Sequence, residues 1–307
     1  MTSSPALPAA PSAASHVSLV IPTWNEADWL PRLLESARSI PVIRQVVVAD
    51  KASPDGTAAI ALAAGCTIAD GGRPSAARNH GAALASEDIL LFTDADCVLT
   101  ADAVNAAVEG LDRPGVVGFH VRTVPVSLDG YCQLSYRLMD LYLRALAACG
   151  LVQGVASFIA VRREAFEACG GFDERVTVGE DADFLRRLSA RGRVLYRPDQ
   201  IVFTSARRFH SERPWLFSAK VFMWATLRLL HLKRSIVEYR WDGHARTAAD
   251  EAPALAELLQ RYRARPAPTA ASDPMAELML IAALGEAMGE PPYWVVGPDA
   301  RGDVASS

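Results

Sequence analysis

The sequence has few cysteines and no cysteine pair at metal-binding spacing. Its five cysteines are an odd number, and none forms a Cys-x-x-Cys pair. Neither a disulfide framework nor a zinc site is therefore predicted. A reducing compartment follows as the expectation, which makes the predicted location cytoplasmic.

No charge of one sign dominates the chain. Lys and Arg total 31 against 35 Asp and Glu, and the formal net charge is −4. This balance excludes a generic polyanion binder, so no nucleic-acid partner is expected.

Targeting and membrane-spanning segments are also lacking. Residues 1–15 have neither a basic region nor an apolar run, and they predict a disordered tail rather than a signal peptide. The most apolar long stretch, residues 215–232, is interrupted by charged side chains and is shorter than the roughly 20 apolar residues of a spanning helix. No transmembrane segment is predicted.

The sequence contains enough apolar residues for a large core, and its predicted strands and helices follow one another in a repeated order. Of its 307 residues, 50% are apolar. Short apolar runs alternate with stretches of helical periodicity: the runs are 17–21, 46–49 and 89–92, and the helical stretches are 27–39, 57–64 and 76–85. This alternation predicts an α/β fold with a mostly parallel sheet and right-handed crossovers.

Polar residues follow each of these predicted strands. They are residues 23–26, Asp50, and the pair Asp94 and Asp96. Ligands of open parallel sheets bind outside the carboxyl ends of the strands, so these residues are candidates for a binding site. The structural alternative is that any strand must end in polar residues and that acids also cap helices. Two carboxylates one pleat apart can hold a divalent cation that also takes diphosphate oxygens.

The second half has a different pattern. Helical periodicity extends over residues 131–148, 180–190 and 214–234, with weaker stretches at 254–262 and 274–288. Residues 194–196 and 201–203 predict two short strands on either side of a Pro198-Asp199 turn.

A set of motifs in a fixed order resembles the family 2 glycosyltransferases of GT-A fold. The motifs are IPTWNE at 21–26, VVADKASPDGT at 47–57, ARNxG at 77–81, FTDAD at 92–96, and GGFDE at 170–174 followed by GED at 179–181. The resemblance covers roughly residues 17–210. It implies a Rossmann-like GT-A sheet flanked by helices, with a helical C-terminal appendage.

The resemblance also implies roles on the donor side. Asp50 would accept a hydrogen bond from the nucleobase of a nucleotide-sugar, and Pro22, Trp24 and Glu26 would line the base and ribose pocket. Asp94 would contact ribose or sugar hydroxyls, and Asp96 would bind the cation, Mg²⁺ or Mn²⁺. Ala49 and Lys51 stand where the family often has acids or amides, which leaves the nucleobase open.

On the acceptor side, the resemblance makes Asp181 the general base that deprotonates an acceptor hydroxyl. A first-turn Asp is also common for structural reasons, and Asp183 is the competing base.

Several basic residues are candidates for balancing the charge of the diphosphate. Arg78 and Arg73 follow from the resemblance, whereas Arg207 and Arg208 lie after a short predicted strand, where a solvated basic turn is an equal alternative. His210 is a candidate for the metal shell, as a late histidine serves some GT-A enzymes.

These observations predict a division of the chain. Residues 1–15 form a tail, 16–212 a catalytic domain with a nucleotide-binding half (16–98) and an acceptor half (99–212), 213–245 a helical extension, and 246–307 a helical or flexible segment. The helix near 215–234 could contact an anionic membrane surface at the inner face, or pack on the catalytic domain.

The predicted function is metal-dependent, inverting transfer of a sugar from a nucleotide-sugar, in particular a UDP-sugar, to an acceptor hydroxyl of a small molecule, lipid carrier or glycan. A nucleotidyltransferase is the enzymatic alternative, but it usually opens with a Gly-rich, basic phosphate loop, and Pro22 to Glu26 occupy that place. A non-catalytic nucleotide-sugar-binding protein is the other, and it would have no need of a base at Asp181.

Overall fold

The computed structural model describes residues 15–177, 179–207 and 247–264, and the backbone of residues 294–296. Arg208, His210 and the helices predicted near 214–234 and 274–288 lie outside the described residues, as does nearly all of the predicted N-terminal tail.

Strands and helices alternate along the first part of the chain. The strands are β1 (Val17–Thr23), β2 (Ile43–Asp50), β3 (Thr67–Asp70), β4 (Ile89–Phe92), β5 (Cys97–Val98), β6 (Val116–Val126), β7 (Ile159–Arg162), β8 (Arg193–Ser205) and β9 (Trp294–Val296). The helices are α1 (Leu30–Arg38), α2 (Thr57–Ala63), α3 (Pro74–Leu84), α4 (Ala101–Leu111), α5 (Gly130–Ala148), α6 (Arg163–Ala168), α7 (Glu180–Ser189) and α8 (Ala248–Ala264).

The strands form one mixed sheet in the order β3-β2-β1-β4-β7-β6-β8-β5, and β9 pairs with β8. The first four are parallel to one another, and β6 is parallel to β8. Strand β7 is antiparallel to both β4 and β6, so the parallel strands on its two sides run in the same direction. The carboxyl ends of β1, β2, β4, β6 and β8 consequently lie along one edge.

Helices cover both faces of this sheet. On one face Leu19 and Leu91 pack with residues of α1, α2 and α4. On the other, Val20 and Phe92 pack with residues of α3, α6 and α7. Because neighbouring side chains of one strand enter opposite cores, the strands consist of continuous apolar runs rather than an alternating pattern.

The predicted α/β fold with a mostly parallel sheet is confirmed. The prediction of two short strands on either side of a Pro198-Asp199 turn is wrong. Residues 194–196 and 201–203 belong to one strand, β8, rather than to two strands around a turn. Its ladder with β6 passes directly from the pair Val121 and Arg197 to the pair Arg122 and Ile201. The register shifts there, and the intervening residues form a bulge that lets both halves of β8 pair with β6.

The helix α8, which extends beyond the predicted 254–262, packs on the sheet rather than standing apart from it. Its apolar side chains cluster with Val126, Ile201 and Phe203 at the ends of β6 and β8. Tyr262 donates a hydrogen bond to Asp102 of α4 at 2.8 Å, and its ring lies edge-on to Phe203. The helix thereby reaches the edge of the sheet at which the carboxyl ends of the strands lie.

None of the described helices combines the length and apolarity needed to cross a lipid bilayer.

Candidate functional site

The carboxylate of Asp50, at the end of β2, is fixed by its neighbours. Thr23 at the end of β1 donates to Asp50 Oδ1 at 2.8 Å, and Ser53 donates to the same oxygen at 2.6 Å. The backbone N–H of Ser53 donates to Oδ2 at 2.8 Å. These bonds hold the acid at the carboxyl edge, with 8% of its surface exposed.

The loops that follow β1 and β2 are tied together. The backbone N–H of Asn25 donates to the Ser53 hydroxyl at 2.9 Å, and that of Glu26 to the Thr57 hydroxyl at 2.9 Å. Asn25 and Ala52 have φ of 57° and 53°, a conformation that costs a non-glycine residue free energy and recurs at functional sites.

Half-buried Trp24 and Pro22 lie beside this acid on β1 and the loop after it. The Lys51 ammonium stands 4.3 Å from the centre of the Trp24 ring, within cation–π distance. The structure thus brings an aromatic face, a cation and a carboxylate together where a nucleobase was predicted to bind.

Arg78 of α3 joins the loop after β4 to the start of α7. Its Nη2 donates to Asp94 Oδ1 at 2.9 Å and its Nη1 to Glu180 Oε1 at 2.8 Å. Its guanidinium also stands 5.5 Å from the centre of the Phe172 ring, and only 1% of the residue is exposed. Arg78 was predicted to balance a diphosphate, but the structure pairs it with two carboxylates of the protein.

Asp94 and Asp96 together form the acid motif. Arg207 makes a similar connection at its second acid, Asp96. Its two terminal nitrogens donate to the two oxygens of Glu26 at 2.8 and 2.6 Å, and its Nε donates to Asp96 Oδ2 at 3.1 Å. The residue is 3% exposed. It is therefore an internal ion-pair partner of two predicted site residues rather than part of a solvated turn.

Asp181 lies in the first turn of α7 and is partly exposed. Its Oδ2 accepts from the backbone N–H of Ala156 at 3.1 Å, and its Oδ1 from that of Ala182 at 2.8 Å. Burial of the carboxyl group, together with the neighbouring Glu180 carboxylate, raises the pKa of Asp181 to about 7. That value suits a group that takes up a proton near neutral pH.

Asp183, the competing base, is in a different environment. It accepts from Arg186 at 3.1 Å and from Arg187 at 2.8 Å on its own helix. Burial opposes ionisation, but the hydrogen bonds and the positive charges of the two arginines together outweigh it and hold the pKa of Asp183 below its ordinary value. Its contacts stabilise α7.

Most of the predicted site residues thus share one edge of the sheet. Pro22, Trp24, Glu26 and Asp50 surround the ends of β1 and β2, while Asp94, Asp96 and Arg207 lie between β4 and β8. Arg73 is the exposed residue before α3, and within the described part of the chain its side chain forms no hydrogen bond with this group.

Two residues that support the site were not predicted from the sequence. The side chain of Asn79 donates to the Phe172 carbonyl at 2.9 Å and accepts from the Phe172 N–H at 2.9 Å, so it holds the GGFDE turn. Glu251 of α8 accepts from Ser205 Oγ at 3.0 Å and from the Ala206 N–H at 2.9 Å. The ARNxG motif was a signal for the first, whereas nothing in the C-terminal composition pointed to the second.

Comparisons with known proteins show similarity to glycosyltransferases. Residues 18–170 match the family model described as Glycosyl transferase family 2. The chain is 30% identical over 210 residues to the pre-mycofactocin glycosyltransferase of Mycobacterium tuberculosis, which covers 64% of this chain and 44% of that protein. The chain thus spans less than half the length of this curated relative.

Solved structures show the same fold. The mannosyltransferase PcManGT from Pyrobaculum calidifontis, in complex with GDP-Man and Mn²⁺, has a TM-score of 0.58 at 20% identity, over 92% of this chain and 84% of that one. TarS of S. aureus has a TM-score of 0.50 at 18% identity, over 81% and 44%.

Proposed function

We propose, from the match of residues 18–170 to the Glycosyl transferase family 2 model, that this chain is a glycosyltransferase of that family and moves a sugar from a nucleoside diphosphate, in particular UDP, to an acceptor hydroxyl with inversion. The observation that carries this proposal is the double ion pair of Arg78, because it joins the donor-side acid Asp94 to Glu180, the neighbour of the proposed base. Donor and acceptor groups then belong to one site.

In this proposal the donor nucleotide lies across the ends of β1 and β2. Asp50 accepts a hydrogen bond from an N–H of the base, while Trp24 and Pro22 offer an apolar surface to it. The N3–H of uracil and the N1–H of guanine both satisfy such an acceptor, and PcManGT was solved with GDP-Man. UDP and GDP must therefore be compared directly.

Asp96 would hold a divalent cation, Mg²⁺ or Mn²⁺, while Asp94 would contact ribose or sugar hydroxyls. Among the residues that the structure describes, Asp96 Oδ1 has only long contacts, 3.5 Å to Thr204 Oγ1 and 4.0 Å to Cys97 Sγ. No set of three or more acidic, His or Cys side chains in residues 15–177, 179–207 and 247–264 forms a closed metal site. The remaining ligands would come from the diphosphate, as is usual for Mg²⁺. When bound, the cation supplies positive charge to the departing diphosphate.

The charge of the site supports the need for that cation. In the part of the chain that the structure describes, the buried arginines next to these acids are Arg78 and Arg207, and each is already paired with two carboxylates. A diphosphate that gains negative charge as the sugar leaves therefore needs a further positive partner.

Asp181 is the proposed general base. Its oxygens already accept two backbone hydrogen bonds, which orient the carboxylate, and its raised pKa gives it affinity for the proton of an acceptor hydroxyl. A base that acts from the side of the sugar opposite the diphosphate produces inversion in a single displacement.

The experiment compares sugar transfer by the wild type, Asp181→Asn and Asp183→Asn, after UDP- and GDP-sugars have been screened for binding. We expect Asp181→Asn to keep donor binding and to lose about 10²- to 10⁴-fold in kcat. Asp183→Asn should remain within severalfold of the wild type. Donor binding without any transfer by the wild type would favour the non-catalytic nucleotide-sugar-binding alternative. Equal transfer by all three proteins would remove Asp181 from the role of base, and loss in Asp183→Asn alone would move the base by two residues.

A nucleotidyltransferase is distinguished by its product. That reaction would release inorganic diphosphate from a nucleoside triphosphate, whereas the proposed reaction releases a nucleoside diphosphate from a nucleotide-sugar.

A further inference from the structure

Arg207 occupies the position of a counter-ion at the acid motif. All three of its donor nitrogens point to carboxylate oxygens: two to Glu26 and one to Asp96. The Trp29 ring lies 5.2 Å from the guanidinium carbon. With 3% of the residue exposed, these charges interact in a region of low dielectric, where they are strongly coupled.

The main chain that carries Arg207 is held in place from two directions. The N–H of Ser205 donates to the Asp96 carbonyl at 3.0 Å, and Ser205 Oγ accepts from the Arg207 N–H at 3.0 Å. The carboxylate of Glu251 in α8 accepts hydrogen bonds from Ser205 Oγ and the Ala206 N–H. The main chain at residue 207 is thus held beside Asp96.

Arg207 and a divalent cation therefore require the same carboxylate. Asp96 gives Oδ2 to the guanidinium, and a cation at Asp96 would meet a positive charge already within hydrogen-bond distance of that group. One guanidinium is shared between two carboxylates, Glu26 and Asp96, so Asp96 keeps some attraction for a second cation.

We propose that Arg207 is a built-in counter-cation, which neutralises Asp96 when no metal is present and gives way when a divalent cation binds. This inference rests on the proposed cation at Asp96. Its consequence is that the chain alone binds the metal weakly, and binds it tightly only when a diphosphate contributes further negative charge.

The test measures binding of Mn²⁺ alone, without nucleotide, by electron paramagnetic resonance. The variant is Arg207→Gln, which removes the charge but keeps hydrogen-bonding capacity. The matched control is Arg197→Gln, because Arg197 also donates from two nitrogens to one buried carboxylate, that of Asp199, away from the acid motif.

We expect Arg207→Gln to bind Mn²⁺ at least about tenfold more tightly than the wild type, since one nearby positive charge has been removed. Arg197→Gln should match the wild type. The gain should vanish in the double variant Arg207→Gln/Asp96→Asn. Folded Arg207→Gln that binds Mn²⁺ no better than the wild type would overturn the proposal.

A second measurement on the wild type covers the case in which Arg207→Gln fails to fold. The Nε–H resonance of Arg207, identified by its loss in Arg207→Lys, should move when Mg²⁺ is titrated into the protein without nucleotide. A resonance that stays unchanged up to saturation would also overturn the proposal. Either failure leaves sugar transfer by the wild type intact, whereas failure of the proposed function would appear as absence of transfer itself.

Discussion

Arg78 and Glu180 lie 102 positions apart in the sequence and form a buried ion pair of 2.8 Å. The same guanidinium binds Asp94 at 2.9 Å. The predicted nucleotide-binding half and the predicted acceptor half are thereby joined next to the proposed base, Asp181. The pair sets the position of the first turn of α7, which carries Asp181.

Replacement of Arg78 by Met should reveal the strength of this connection. Two carboxylates would lose their partner in a buried setting, and breaking a buried pair typically costs about 3–5 kcal/mol. Chemical denaturation of Arg78→Met, Glu180→Gln and the double variant measures the coupling between the two residues. Strict additivity of the two single effects would show that the ion pair contributes nothing of its own.

Asn79→Ala should detach the GGFDE turn from α3. The substitution removes the side chain that both donates to and accepts from Phe172, and we expect a loss of about 1–3 kcal/mol in the free energy of unfolding. Asn105→Ala is the control, because Asn105 is an exposed residue of helix α4. Equal stability of the two variants would contradict a structural role for Asn79.

Asp96→Asn should remove most of the metal dependence of nucleotide binding. Calorimetric titration of UDP and of GDP, with Mn²⁺ and with EDTA, measures this dependence. In the wild type the affinity should fall in EDTA, whereas in the variant the two affinities should be similar, because an amide is a poorer ligand of a hard cation than a carboxylate. Unchanged wild-type affinity in EDTA would count against the cation at this motif.

The pH profile of sugar transfer should report Asp181. The base acts only when deprotonated, and burial has raised its pKa to about 7, so kcat/KM should fall about tenfold per pH unit below that value and level off above it. The residual activity of Asp181→Asn should lack this limb, and donor binding measured at the same pH values serves as the control. A limb centred near 4, the ordinary value for a carboxyl group, would contradict the raised pKa.

The sequence alone determined the type of fold and the edge on which the site lies. Apolar runs such as 89–92 have the continuous character of strands buried on both faces, and polar residues after them mark the carboxyl edge. The grouping of Asp50, Asp94 and Asp96 follows from that rule, because parallel strands must end on the same side. Local patterns of this kind involve residues that are close together in the sequence, so they can be recognised without knowledge of distant contacts.

Only the tertiary structure decided which charges meet. Arg78 and Arg207 were predicted to face a diphosphate, yet each pairs with two carboxylates, in one case across 181 positions. The role of Glu251 likewise depends on α8 reaching the end of β8. The partner of a charged side chain depends on how remote elements pack and on the free-energy cost of leaving a buried charge unpaired. Neither can be inferred from the neighbouring residues in the sequence.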